Sequence, residues 1–284
     1  MILHELVRDV ARRLRRAPLH YGHGTANARD EAAFLVLRGL ELPFDAAADR
    51  PVTHREIVRV RRLLQRRIGE RMPVAYLLNE AWLAGEPFYV NRRVISPRSH
   101  IAGLLQERVR PWLPRAPRRV LDLCTGSGCL AVLAAKAFPR AHIDASDVSS
   151  AALEVAARNV DRHGLRARIA LVPSDLFSGL RGLRYDLIVC NPPYVTAASM
   201  RSLPVEYRHE PRLALAGGRG GLDFVRRLLL QAPEHLTARG LLVCEIGRGR
   251  KPLERDYPRT PFIWPADQVF VLSREELPRG GKVG

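Results

Sequence analysis

Apolar positions at helical spacing open the chain. Leu3, Leu6, Val7, Val10 and Leu14 fall on one stripe, and Ala32, Leu35 and Val36 begin another. Thr53-His54-Arg55-Glu56 forms a capping box ahead of Ile57, Val60, Leu64 and Ile68, so a further helix starts there. The pattern predicts about three to five short helices packed together. Residues 81–95 then read as a hairpin, with Gly85-Glu86-Pro87 as its turn. Beyond Pro111 and Pro114-Arg115-Ala116-Pro117 the period changes again. Apolar runs at 120–123, 141–147, 168–175 and 185–190 alternate with helical stretches, which predicts strand–helix repeats and a parallel sheet. A helix at 222–232, strands at 240–246 and 269–272, and a frayed tail at 280–284 complete the expected elements.

The chemistry lies where these runs end. The first passes through Asp122 into Cys124-Thr125-Gly126-Ser127-Gly128, followed by Leu130, Leu133, Ala134 and Ala137 at helical spacing. Glycines at 126 and 128 let a ligand approach the backbone closely, at the start of a helix. Gly126-x-Gly128-x-x-Ala131 also satisfies the dinucleotide fingerprint, with Asp147 where a ribose-binding acid belongs. Asp122 decides between the two ligands. Its carboxylate would repel a pyrophosphate and attract the ammonium of S-adenosyl-L-methionine, so the turn, with Thr125 and Ser127, is expected to bind that cofactor. Asp147 ends the next run and is placed to take the two ribose hydroxyls. Asp144 is its weaker rival, since strand alternation puts it inside the element. Asp175 ends the third run, near the adenine. Singly, each acid is an ordinary loop charge or helix cap. In series they meet at the carboxyl edge of a parallel sheet, where open α/β folds bind ligands.

The fourth run ends in Asn191-Pro192-Pro193-Tyr194. An amide or ring nitrogen is a poor nucleophile because its lone pair is delocalised. The Asn191 side-chain oxygen and the Pro192 carbonyl can accept both N–H bonds of such a group and point the lone pair at an incoming methyl. Two prolines fix φ and hold the acceptors ready. Tyr194 can present its π face to a sulfonium; packing against its own loop is the competing role. An ordinary strand-to-turn exit is the structural alternative for the whole tetrapeptide. No strong base is required, because water can take the proton once the nitrogen is alkylated.

These motifs resemble the N(5)-glutamine protein methyltransferases over roughly residues 25–250. Pro73-Val74-Ala75-Tyr76-Leu77-Leu78-Asn79-Glu80-Ala81-Trp82, Gly85-Glu86-Pro87-Phe88-Tyr89-Val90 and Pro97-Arg98-Ser99 match the segment before the catalytic domain. Asn79-Glu80-Ala81-Trp82, Pro97-Arg98-Ser99 and Leu203-Pro204-Val205-Glu206-Tyr207-Arg208-His209-Glu210-Pro211 are similar to the branch acting on the third large-subunit ribosomal protein. The release-factor branch is the neighbouring alternative. Arg219-Gly220-Gly221 departs from a usual acid-Gly pair. The resemblance implies a Rossmann-like class I S-adenosyl-L-methionine-dependent methyltransferase domain at 100–284. It also implies a helical substrate-recognition domain at 1–80 and a β-hairpin linker at 81–99. His209-Glu210 reads as part of a loop shaping the peptide entrance rather than as an acid/base pair.

Composition narrows the remaining classes. The 284 residues are 46% hydrophobic and 26% charged, as in a globular protein able to bury a sizeable core. No apolar run approaches the roughly 18 residues of a membrane span. Four cysteines without Cys-x-x-Cys spacing read as buried reduced thiols, which predicts a cytoplasmic protein without a zinc site. The net charge of +17 comes from scattered arginines: either solvated helix faces, or an attraction to ribosomal RNA near an assembly intermediate. Aromatic content of 6% argues against base stacking. A nucleic-acid adenine or guanine N-methyltransferase would explain the charge, but 73–99 and the lack of a target-recognition insertion speak against it. A silent methyltransferase fold acting as an assembly factor would not need the acids or the tetrapeptide.

Overall fold

The computed structural model describes residues 1–278, so the tail expected to be frayed lies outside the described residues. Helices α1 (Leu3–Arg16), α2 (Ala28–Gly39), α3 (His54–Gly69) and the short α4 (Val74–Leu78) build the first unit. Its core is made by the stripes the sequence pattern marks: Leu3, Leu6, Val10 and Leu14 meet Ala32, Leu35, Val36, Val60 and Leu64. The Thr53 hydroxyl accepts from Glu56 N, and the Glu56 carboxylate from Thr53 N, which fixes the start of α3.

A hairpin follows, β1 (Glu80–Leu83) against β2 (Glu86–Tyr89). Its turn is Ala84-Gly85 rather than Gly85-Glu86-Pro87. Both turn residues take positive φ (53° and 81°), the geometry that matches the twist of a two-residue hairpin. Glu86 and Pro87 are therefore strand residues, opposite Leu83 and Trp82. Pro87 is tolerated because a two-stranded sheet has free edges.

The remainder alternates: α5 (Ile101–Gln106), β3 (Arg119–Leu123), α6 (Cys129–Ala137), β4 (His142–Asp147), α7 (Ser150–Arg162), β5 (Ile169–Pro173), β6 (Tyr185–Cys190), α8 (Ala197–Ser202), α9 (Asp223–His235), β7 (Leu236–Glu245), α10 (Arg250–Asp256), β8 (Ile263–Ala266) and β9 (Val269–Ser273). The seven strands β3–β9 form one sheet, ordered β5-β4-β3-β6-β7-β9-β8, with β9 antiparallel to both of its neighbours. Alternate residues serve opposite faces. Val120, Leu187, Val189, Leu241 and Val243 pack under α5 and α6. Leu121, Ile188, Cys190, Leu242 and Cys244 pack under α9 and α10. Burial on both faces is why these strands read as continuous apolar runs. β8 has no counterpart in the expected elements; its residues are all half-buried and include Pro265, so no alternation marks it. No helix among the described residues is long and apolar enough to cross a membrane.

Candidate active site

The parallel register brings the ends of β3, β4, β5 and β6 to one edge. Leu123 lies opposite Ser146 and Cys190, and Asp147 opposite Pro173. The loops beyond are laced together: Thr125 N donates to Ser146 O at 2.9 Å and Ser174 N to Asp147 O at 3.0 Å.

Asp122 sits within β3 with no exposed surface. Its Oδ2 accepts from the Thr125 hydroxyl at 2.5 Å and Ala131 N at 2.9 Å, drawing the glycine turn onto the start of α6. Oδ1 is buried without a hydrogen-bond partner among the described residues. Burial pushes the carboxyl up to about 7, against the downward pull of those two bonds. The sequence pattern sets this acid beside the ligand; the fold sets it beneath the turn, where it shapes residues 125–131. Gly128 caps α6 at φ 78°, and a methyl there would lie 3.1 Å from the Ala156 Cβ, so the turn needs glycine for both conformation and space. Gly126 also has positive φ, and Thr125 and Ser127 are buried. Asn159 of α7 donates to the Ser127 carbonyl at 2.8 Å and to Tyr89 O at 2.9 Å, and accepts from Tyr89 N, tying hairpin and turn together. Asn159 belongs to none of the motifs, although an Asn beside Ala152, Val155, Ala156 and Val160 on a buried helix face is a detectable signal.

Asp147 ends β4, half-buried. It accepts from Gly126 N and Ser149 N, both at 2.9 Å. Burial raises its carboxyl pKa, and the backbone donors Ser149 and Gly126 counter that rise. A carboxylate offers about four acceptor positions, so two stay free for a diol. The next residue, Val148, is 59% exposed and offers an apolar face beside that acid. A close-approach turn, a diol acceptor and an apolar face fit an adenosine-bearing cofactor. Asp144 is buried inside β4 and ion-paired to Arg119 at 2.8 Å, as alternation predicts. Asp175 is more exposed and pairs with Arg227 of α9 at 3.2 Å.

Asn191, Pro192 and Tyr194 line a cavity of about 710 Å³. Its far wall is Arg98, Leu203, Pro204 and Tyr207, with His20 contributed by the first helical unit. Pro193, Gly126, Asp147 and Asp175 are not among the lining residues; the acids share the sheet edge but not this cavity. Val195 pairs with Ala216 in a one-residue bridge, which braces the loop after the tetrapeptide.

Two buried carboxylates hold the far wall. Glu206 accepts from Arg71 Nε at 2.7 Å, Arg67 Nη1 at 3.3 Å and His20 N at 2.9 Å. Burial works to raise its carboxyl pKa, but these donors bring it down to about 2. Glu210 accepts from both Arg98 guanidinium nitrogens, at 2.5 and 2.6 Å, and from Ser96 N. His23 lies 3.6 Å from it, its pKa lowered to about 4 by burial, so it is neutral at pH 7. His209 meets the Glu70 carbonyl at 2.9 Å. His209 and Glu210 thus brace the loop from behind, while Leu203, Pro204 and Tyr207 face the cavity. Neither Glu206 nor Arg67 stands out in the sequence.

A family profile described as "Methyltransferase small domain" matches residues 104–206, from α5 through the tetrapeptide. The chain is 53% identical over 285 residues to a ribosomal protein uL3 glutamine methyltransferase of Bordetella pertussis, covering 97% of this chain and 96% of that one. A protein of the same name from Bradyrhizobium diazoefficiens is 50% identical over 289 residues, covering 96% and 91%. Among solved structures, the hMettl16 catalytic domain in complex with a MAT2A 3'UTR hairpin superposes with a TM-score of 0.50 at 17% identity, over 78% of this chain and 81% of that one, a likeness of fold. The sheet and its glycine turn are those of a class I methyltransferase, and the chain belongs to the family of ribosomal protein uL3 glutamine methyltransferases.

Proposed function

We propose that this enzyme methylates the side-chain amide nitrogen of a glutamine in ribosomal protein uL3. The observation that carries the reading is the cavity in which Asn191 and Pro192, at the end of β6, face a wall built by the 203–211 loop and the first helical unit. When bound, S-adenosyl-L-methionine supplies the electrophilic methyl group. Asp147 would take the ribose hydroxyls, Val148 would offer the adenine an apolar face, and Asp175, whose two oxygens both face Arg227 Nη2 at 3.2 Å, would accept from the exocyclic amine with a remaining lone pair. Gly126 and Gly128 admit the methionyl part, and Asp122, through Thr125 and Ala131, keeps their turn in shape.

In the cavity, the Asn191 side-chain oxygen and the Pro192 carbonyl accept the two amide N–H bonds of the glutamine. Held this way, the amide nitrogen would present its lone pair to the methyl group that the bound cofactor would supply. The barrier falls through alignment and fixed acceptors, with the departing proton left to water. Pro192 and Pro193 keep the acceptors from relaxing away. Residues 1–80 form the substrate-recognition domain, residues 81–99 the linker that carries the hairpin, and residues 100–284 the catalytic domain. A cytoplasmic location fits the four free cysteines.

Labelled S-adenosyl-L-methionine incubated with the enzyme and purified uL3 should place one methyl on a glutamine, read by mass spectrometry. A label on a nucleobase of ribosomal RNA, with none on glutamine, would hand the activity to the nucleic-acid methyltransferase alternative.

A further inference from the structure

Glu245 ends β7 with its carboxylate buried at 2% exposure. Three donors from two parts of the chain converge on it. Oε2 accepts from the Ser99 hydroxyl at 2.7 Å and from His100 N at 3.0 Å, while Oε1 accepts from the Tyr194 hydroxyl at 3.3 Å. Tyr194 closes the tetrapeptide and lines the same cavity as Asn191. Three glycines leave room for its backbone and ring. A methyl at Gly217 would lie 2.6 Å from its Cα, one at Gly221 2.5 Å from its carbonyl oxygen, and one at Gly247 2.7 Å from its ring. The ring packs directly on Gly247, and its hydroxyl is tied to the Glu245 carboxylate. The other oxygen grips the segment directly after Arg98, itself part of the cavity wall and paired with Glu210.

We propose that Glu245 is a positioning residue for methyl transfer, acting through Tyr194 to hold the 191–194 loop in register with the Arg98 wall. It does not itself line the cavity. The proposal rests on the glutamine-methyltransferase reading above. A carboxylate suits the place because two acceptor oxygens face two separate donor groups. Glu245→Gln keeps the volume but offers one acceptor. With that oxygen kept on Ser99 and His100, an amide NH₂ faces Tyr194 and the phenol loses its acceptor.

The test is a double-mutant cycle on the full chain with purified uL3 and S-adenosyl-L-methionine, using Glu245→Gln, Tyr194→Phe and the pair. Each single variant should lower kcat by about 10-fold, the lower end for losing a hydrogen bond to a charged group. KM for uL3 and calorimetric cofactor affinity should stay within about 2-fold, and the pair should be no slower than the slower single variant. Multiplied losses in the pair, or a Glu245→Gln enzyme with unchanged kcat, would overturn the proposal. Should Glu245→Gln fail to fold, Tyr194→Phe alone decides: wild-type kcat overturns the proposal, and a drop in kcat at constant KM supports it. A wild-type enzyme that leaves uL3 glutamine unmethylated overturns the underlying reading, and this proposal with it.

Discussion

Asp122 and Asp147 lie on neighbouring strands, yet the fold gives them opposite relations to water. Asp147 keeps part of its carboxylate open, so Asp147→Ala should weaken S-adenosyl-L-methionine binding by about 1.5–3 kcal/mol, measured by calorimetry. Asp122 is sealed, and its effect is on stability. Its folded pKa of about 7 lies above the unfolded value near 3.8, so the folded state holds the proton longer. Between those values the folded chain binds more protons, and stability falls as pH rises, levelling off above about 7. Asp122→Asn should flatten this slope in urea unfolding between pH 4 and 7; an unchanged slope would mean another group sets it. Asn191 has a third kind of role. Asn191→Ala should leave cofactor affinity within a few-fold and slow methyl transfer by roughly 10²–10³, the scale for one lost preorganised contact. Turnover near that of the unaltered enzyme would make the tetrapeptide purely structural.

At the scale of elements, the 203–211 loop depends on helices far from it in sequence. Glu206→Ala would strip the buried Arg67 guanidinium and Arg71 of a shared acceptor, a loss of roughly 3–5 kcal/mol when one partner of a buried pair is removed. The folded pKa of Glu206, about 2, lies below the usual 4.5, so its contribution is full above 4.5 and fades as pH falls toward 2. The destabilisation by Glu206→Ala, read from urea midpoints, should therefore shrink on acidification from pH 6 to pH 3. This clamp also marks the limit of what the sequence pattern conveys. Strands buried on both faces announce themselves as apolar runs, so β3 to β7 and β9 are legible in the sequence though β8 is not, and Asp147, Asp175 and Asn191 lie at or just beyond the ends of β4, β5 and β6. Arg67 and Glu206 are 139 positions apart, and Arg98 and Glu210 are 112 apart. No local period links such pairs. The glycines around Tyr194 are equally opaque, since their meaning is the space that Gly217 and Gly221 leave for its backbone and Gly247 for its ring. The hairpin turn begins one residue earlier than expected and is one residue shorter for a subtler reason: Pro87 suggests a turn, while left-handed backbone at Ala84 and Gly85 makes it.

For the whole molecule, a charge of +17 bears on association with charged partners rather than on the fold. uL3 is expected to be basic as well, so attraction between the two proteins cannot drive binding. Methylation of isolated uL3 should change little, or rise slightly, between low and moderate salt, because screening relieves repulsion. Methylation of an RNA-bearing assembly particle should instead fall linearly in a log–log plot, with a slope set by the phosphates neutralised. Equal slopes for the two substrates would assign the arginines to solvation alone. The clamp between α3 and the 203–211 loop also carries a consequence in time. A ribosome delivers the chain from its N-terminus, so Arg67 emerges long before Glu206. Until then Glu31, 2.7 Å from Arg67 Nε in the finished protein, is the acceptor already synthesised for that guanidinium, and Arg98 still awaits Glu210. The far wall of the cavity can close only after β3 to β6 have been made, so the residues of the glycine turn are synthesised well before those that complete the substrate cavity.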